Sequence, residues 1–176
     1  MFLVNEVNLI MSTIILFPNA CLANKCLDVY DFDENLTNLA AEMSVVMREK
    51  NGLGLAANQI GCPKRVLLMS RVFFGGGSDR VMVNPILLAA SGDVEIEEGC
   101  LSLPGVRYAI STRSRDIKIE YRNLDGTVAQ IELTNLASVC FQHELDHLNG
   151  ITMLDRLSPL KASVARRKLA KQKGAK

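Results

Sequence analysis

The chain has 176 residues, 48% apolar and 22% charged, which suits one soluble domain with a core of its own. No apolar run reaches the roughly eighteen residues of a membrane span. The five cysteines, at 21, 26, 62, 100 and 140, are odd in number and have no framework spacing, so a disulfide scaffold is excluded and a reducing, cytoplasmic setting is expected. The net charge of +1 hides an asymmetry: an acidic body carries a basic tail with Lys161, Arg166, Arg167, Lys168, Lys171, Lys173 and Lys176 and no acid.

The start is apolar, but it has no basic n-region, carries Glu6, and has no small-x-small cleavage site before Cys21, so it reads as non-secretory. Residues 1–10 are expected to be a leader or a misassigned start. Residues 33–49 keep helical spacing through Leu36, Leu39, Ala40, Met43, Val46 and Met47, with Asp33 as N-cap. Arg65–Met69 reads as a buried strand and Gly75–Gly77 as a turn or mobile loop. The stretch 81–90 looks extended but broken at Pro85, and 94–97 alternates. Residues 117–121 and 128–133 alternate around Asp125-Gly126, which predicts a hairpin. Asn135 is expected to cap the next helix and Gly150 to end it. A last helix follows Ser158-Pro159, with Leu160, Val164 and Leu169 expected to pack. Strands in the middle and helices mostly at the ends predict an α+β fold. In it, antiparallel or mixed β-sheets pack around a central metal-binding helix, with an N-terminal and a C-terminal helix. Residues 1–176 are expected to form a single catalytic domain, with 159–176 its basic C-terminal helix and tail.

Both histidines of the chain lie in His143-Glu144-Leu145-Asp146-His147. At i and i+4 on a helix two imidazoles share one face and can bind one ion, and Glu144 between them can move a proton for metal-bound water. Leu136, Val139, Cys140, His143 and His147 form one stripe, so the histidines face inward, where imidazoles need partners. Asp146, on the other side of the helix, reads as a structural anchor. The third ligand is less obvious. The position six residues past His147 is Met153 and no Glu follows Glu144, so the usual downstream choices of zinc proteases are closed. Asp155 stays open, and so does Cys100 in Glu98-Gly-Cys-Leu-Ser102; two His and one Cys with one open position is a catalytic arrangement. A further segment, Gly52-Leu-Gly-Leu-Ala-Ala-Asn-Gln59, offers a thin wall for close backbone approach, and Gln59 offers an amide that can stabilise an oxyanion.

Taken in order, GLGLAANQ (52–59), EGCLS (98–102) and HELDH (143–147) resemble the three motifs of the peptide deformylase family, and the flanking Leu103-Pro104, Arg107, Asn149-Gly150 and Leu157-Ser-Pro-Leu160 are similar too. The resemblance implies a metal-dependent hydrolase that removes the formyl group from the N-terminal formyl-methionine of new polypeptides. It implies Cys100, His143 and His147 as ligands of one divalent ion, physiologically Fe²⁺, with Zn²⁺, Ni²⁺ or Co²⁺ able to take its place. It implies Glu144 as general base and then acid, with Gln59 and the Leu101 N–H as oxyanion donors. Gly52, Leu53, Gly54, Leu55, Ile96, Glu98, Gly99, Arg107, Leu136, Val139 and Cys140 are expected to bind substrate, several of them as walls of a Met pocket. The implied partners are nascent formyl-methionyl chains and, through the basic C-terminal helix, the ribosome; no membrane is involved and the protein is expected to be monomeric. Two competing readings are a zinc protease or aminopeptidase, which needs a downstream ligand, and a ribosome-binding non-enzyme led by the tail.

Overall fold

The computed structural model describes residues 13–173; the expectation for residues 1–10 lies outside them. Helix α1 spans Glu34–Glu49, and its N-cap is Asp33, whose Oδ1 accepts the Leu36 N–H at 3.0 Å. Leu36, Ala40, Met43, Val46 and Met47 form its buried stripe. Five strands follow: β1 Gly54–Ala56, β2 Val66–Met69, β3 Arg80–Gly99, β4 Arg107–Arg122 and β5 Val128–Thr134. They make one sheet in chain order, antiparallel at every step. Helix α2, Asn135–Leu148, packs on that sheet, and α3, Pro159–Lys173, closes the chain. None of the helices is long and apolar enough to cross a membrane, among the described residues.

Strand alternation explains why β2 is buried at all four positions. Leu67 and Met69 join the core beneath α2, with Phe141 and Leu148, whereas Val66 and Leu68 join the core beneath α1, with Leu36, Met43 and Met47. The two helices therefore cover opposite faces of this part of the sheet. Strand β1 obeys the same rule. Ala56 points to the α2 side and Leu55 to the α1 side.

Three local features differ from the sequence reading. First, β3 runs unbroken through Pro85. The proline falls in the register shift between the Val83–Arg122 and Ile86–Glu120 pairs, next to Asn84 at φ 49°, so the ladder requires no N–H from it. Second, the N-cap of α2 is Thr134, and Asn135 is the first helical residue, at φ 51°. Third, α3 packs through Ala162, Ala165 and Leu169, while Leu160 is 74% and Val164 43% exposed. Small residues let α3 approach Leu103, Val106, Met153 and Leu154 closely, and the larger apolar side chains are left outside.

A left-handed glycine ends α2 just beyond His147. Gly150 adopts φ 73°, its N–H reaches the His147 carbonyl at 3.1 Å, and the Ile151 N–H reaches the Asp146 carbonyl at 2.9 Å. A Cβ at Gly150 would stand 2.5 Å from the Ala23 carbonyl oxygen, so both the backbone angle and the packing require glycine there.

Candidate metal centre

Three elements converge under one cavity of about 600 Å³. Helix α2 brings His143, Glu144 and His147, the end of β3 brings Glu98 and then Cys100, and the 3₁₀ turn Ala57–Ile60 after β1 brings Gln59. The Cys100 thiol and one ring nitrogen from each histidine all lie within 4.8 Å of one another, the sole such cluster among the described residues. Cys100 Sγ is 3.1 Å from His147 Nε2. One thiol and two buried imidazoles fit a borderline-soft divalent cation with a coordination position left over. Asp155 is elsewhere: its carboxylate accepts the Thr152 N–H and hydroxyl, both at 2.8 Å, and so takes no part in the cluster.

His143 is held from behind. Its Nδ1 lies 2.8 Å from Glu98 Oε2, and Glu98 is gripped in turn by Arg113 through Nε at 2.7 Å and Nη2 at 3.0 Å. Burial alone would raise the Glu98 pKa, but the hydrogen bonds from His143 and Arg113 and the guanidinium charge bring it below its ordinary value. An ionised carboxylate can only accept, so His143 donates through Nδ1 and turns Nε2 toward the cluster. Arg113 also donates from Nη1 to Asp146 Oδ2 at 2.7 Å, and Arg156 pairs with the same Asp146. Asp146 is thus buried between two arginines, an anchor that ties α2 to β4 and to the 3₁₀ turn Met153–Arg156 that precedes α3.

This buried network predicts an acid response. The native Glu98 carboxyl titrates below the ordinary value of 4.5, so its stabilising effect is complete above that pH and is lost as the pH falls through the lower native value. Denaturant midpoints of the metal-free protein should drop below about pH 4.5, and Glu98→Gln should flatten the drop. The same slope in both proteins would locate the acid-sensitive group elsewhere.

Glu144 is 4% exposed, and its Oε2 has no hydrogen-bond partner among the described residues. Burial pushes its carboxyl up to about 7, with His143 opposing the shift. The Gln59 amide is fixed at both ends: Oε1 accepts the Ala56 N–H at 2.9 Å, and Nε2 donates to Ser102 Oγ at 3.1 Å while lying 3.7 Å from Cys100 Sγ. The backbone donor sets the orientation of the amide, so its NH₂ end faces the thiol. Leu101 lines the cavity beside Cys100.

The cavity walls include Gly52, Leu53, Gly54, Ile96, Glu98, Gly99, Arg107, Leu136, Val139 and Cys140. Leu53 and Leu136, at 41% and 44% exposure, stand at the rim rather than the floor. Arg107, also at the rim, is paired with Glu97 at 2.5 Å. Leu55 does not line the cavity; strand alternation turns it to the α1 core, where it is fully buried. Glu98 lines the wall, but both its oxygens are engaged by His143 and Arg113. Arg113, Arg156 and the walls from Lys50 and Val106 escaped the sequence reading. Arg113 sits mid-strand with no motif around it, and nothing local separates it from a solvated arginine.

The comparisons agree with the geometry. The family model described as "Polypeptide deformylase" matches residues 11–163. A peptide deformylase of Neisseria gonorrhoeae is 38% identical over 159 residues, covering 90% of this chain and 94% of that one. The crystal structure of a peptide deformylase from Legionella pneumophila superposes with a TM-score of 0.88 at 36% identity, covering 94% of this chain and 96% of the other. The peptide deformylase of Ehrlichia chaffeensis does so with a TM-score of 0.86 at 32% identity, over 93% and 97%. With a matched family model over most of its length, close relatives over nine-tenths of it, and a Cys/His/His cluster at the cavity floor, the chain belongs to the polypeptide deformylase family.

Proposed function

We propose that this protein hydrolyses the N-formyl group from the formyl-methionine that begins newly synthesised polypeptides. The observation that carries the reading is the meeting, at one cavity floor, of a Cys/His/His donor set, a buried carboxyl and an amide donor of fixed orientation. Cys100, His143 and His147 would hold the ion, physiologically Fe²⁺, with Zn²⁺, Ni²⁺ or Co²⁺ as substitutes. When bound, such a cation supplies Lewis acidity, lowering the pKa of water and polarising a carbonyl oxygen. Glu144, kept near neutrality by burial, takes a proton from the attacking water and delivers one to the departing nitrogen. Gln59 Nε2 and the Leu101 N–H face the formyl oxygen as negative charge grows on it, and a preorganised donor of that kind is worth roughly 3 kcal/mol. A protease reading lacks its downstream ligand, since Met153 is buried in the core and Asp155 is committed to Thr152.

Leu53, Ile96, Leu101, Leu136, Val139 and Cys140 give the cavity apolar walls suited to a long unbranched side chain. Formyl-Met peptides should exceed formyl-Ala peptides in kcat/KM by about thirty-fold, from roughly 2 kcal/mol of extra apolar burial. Equal kcat/KM for the two, measured by formate release, would remove the cavity from substrate recognition.

The exposed side of α3 bears Lys161, Arg166, Arg167, Lys168 and Lys171. We infer a salt-sensitive contact with ribosomal RNA at this face, for a monomeric, cytoplasmic, single-domain enzyme of residues 1–176. Because α3 packs on the loop that carries Leu103 and Val106, which borders the cavity, deleting it would disturb the site. Charge reversal is the better test. Arg167→Glu with Lys171→Glu should weaken co-sedimentation with ribosomes at low salt and leave turnover of short peptides unchanged. Unchanged co-sedimentation would leave α3 as a solvated helix.

A further inference from the structure

The two ligand imidazoles are supported differently. His143 presents Nδ1 to the Glu98 carboxylate at 2.8 Å. His147 turns Nε2 toward the Cys100 thiol at 3.1 Å, which leaves Nδ1 on the far side of the ring, away from the cluster. His147 is fully buried, and its Nδ1 has no hydrogen-bond partner among the described residues. A ligand imidazole almost always donates its second N–H to a carbonyl, a carboxylate or water, and that donor fixes the tautomer and the ring plane.

One side chain is matched to it. Asn58 is also fully buried, its Nδ2 donates to the His147 carbonyl at 2.7 Å, and its Oδ1 has no partner among the described residues. Two residues in direct contact thus carry one unmatched donor and one unmatched acceptor. The amide cannot simply be reversed, because Oδ1 would then oppose the His147 carbonyl oxygen. We propose that Asn58 is the positioning residue for His147: its Oδ1 accepts from one buried water that in turn accepts the His147 Nδ1–H, while its Nδ2 holds the His147 backbone. Such a water needs two to four polar partners, and Asn58 Oδ1 and His147 Nδ1 would be two of them.

Asn58 directly precedes Gln59, and its own carbonyl is approached by the Cys21 thiol at 3.5 Å. The turn that presents the amide donor is therefore pinned to a metal ligand, and a shift of one moves the other. The inference rests on Cys100, His143 and His147 being the ligand set, and the test separates the two ideas. The full-length protein is loaded with Co²⁺ and challenged with a chelator, and ¹⁵N-labelled imidazoles of the Zn²⁺ form are followed by NMR. In the wild type both histidines should show an Nδ1–H protected from solvent exchange. Asn58→Leu should lose the His147 signal, keep the His143 signal, and release Co²⁺ about ten- to a hundred-fold faster. A His147 Nδ1–H in free exchange in the wild type would overturn the proposal even if Asn58→Leu failed to fold, as would wild-type Co²⁺ release from a folded Asn58→Leu. Failure of the wild type itself to bind Co²⁺ through these three residues would overturn the ligand assignment.

Discussion

Glu144→Gln should bind metal as the wild type does and lose kcat by a factor on the order of 10²–10⁴. The amide keeps the shape of the carboxyl but can neither take the proton of water nor return it to the leaving nitrogen. The position favours this role because Glu144 is buried, is shifted toward neutrality, and has an oxygen free of hydrogen bonds among the described residues. Its neighbours at i−1 and i+3 supply the imidazoles, so the carboxyl is held beside the cluster without joining it. Metal content by elemental analysis and kcat on a formyl-Met peptide decide the matter. Parallel loss of metal and activity would make Glu144 a ligand or a support; retained activity would remove it from proton transfer.

The second large effect is expected at a residue with no chemistry of its own. A Cβ at Gly54 would stand 2.5 Å from Glu144 Oε1 and 2.8 Å from Cys140 Sγ. Cys140 at 8% and Glu144 at 4% exposure can yield only toward the cavity they line. Gly54→Ala should therefore displace the Glu144 carboxyl by a substantial fraction of an ångström and cost about 10²-fold in kcat, with an overpacking penalty of roughly 1–3 kcal/mol in stability. If the damage passes through Glu144, the double variant with Glu144→Gln should be no slower than Glu144→Gln alone. Multiplied losses would assign Gly54 an independent role at the cavity wall.

These two residues mark the boundary of what a sequence discloses. His143, Glu144 and His147 were legible because helix geometry alone places i and i+4 together, and Cys100 and Gln59 followed from motif resemblance. The reason Gly54 must be glycine was only partly legible. A thin wall was foreseeable, but its contact with Glu144 depends on how β1 crosses α2. Leu55 shows the same limit from the other side. It belongs to the motif but not to the cavity, because a strand sends neighbours to opposite faces and the partner on each face is a tertiary matter. Pro85 looked like a break because proline removes a donor, yet a bulge beside Asn84 accommodates it. Arg113 was invisible for a different reason. Its importance comes from Glu98 and Asp146, fifteen residues before it and thirty-three after it, which only folding brings together. In α3 the size of the apolar residues misled, since close packing favoured Ala162 and Ala165 over Leu160 and Val164.

We propose that Cys100, His143 and His147 hold a divalent ion without which the cavity cannot deformylate. Formate release from a formyl-Met tripeptide under anaerobic conditions, before and after removal of metal with a chelator, decides between a metal-dependent and a metal-independent reaction. The wild type should hold one ion per chain, lose turnover when it is removed, and recover on adding Fe²⁺, Ni²⁺ or Co²⁺. Undiminished turnover by the metal-free protein, or none by the fully loaded one, would remove the ion from the reaction.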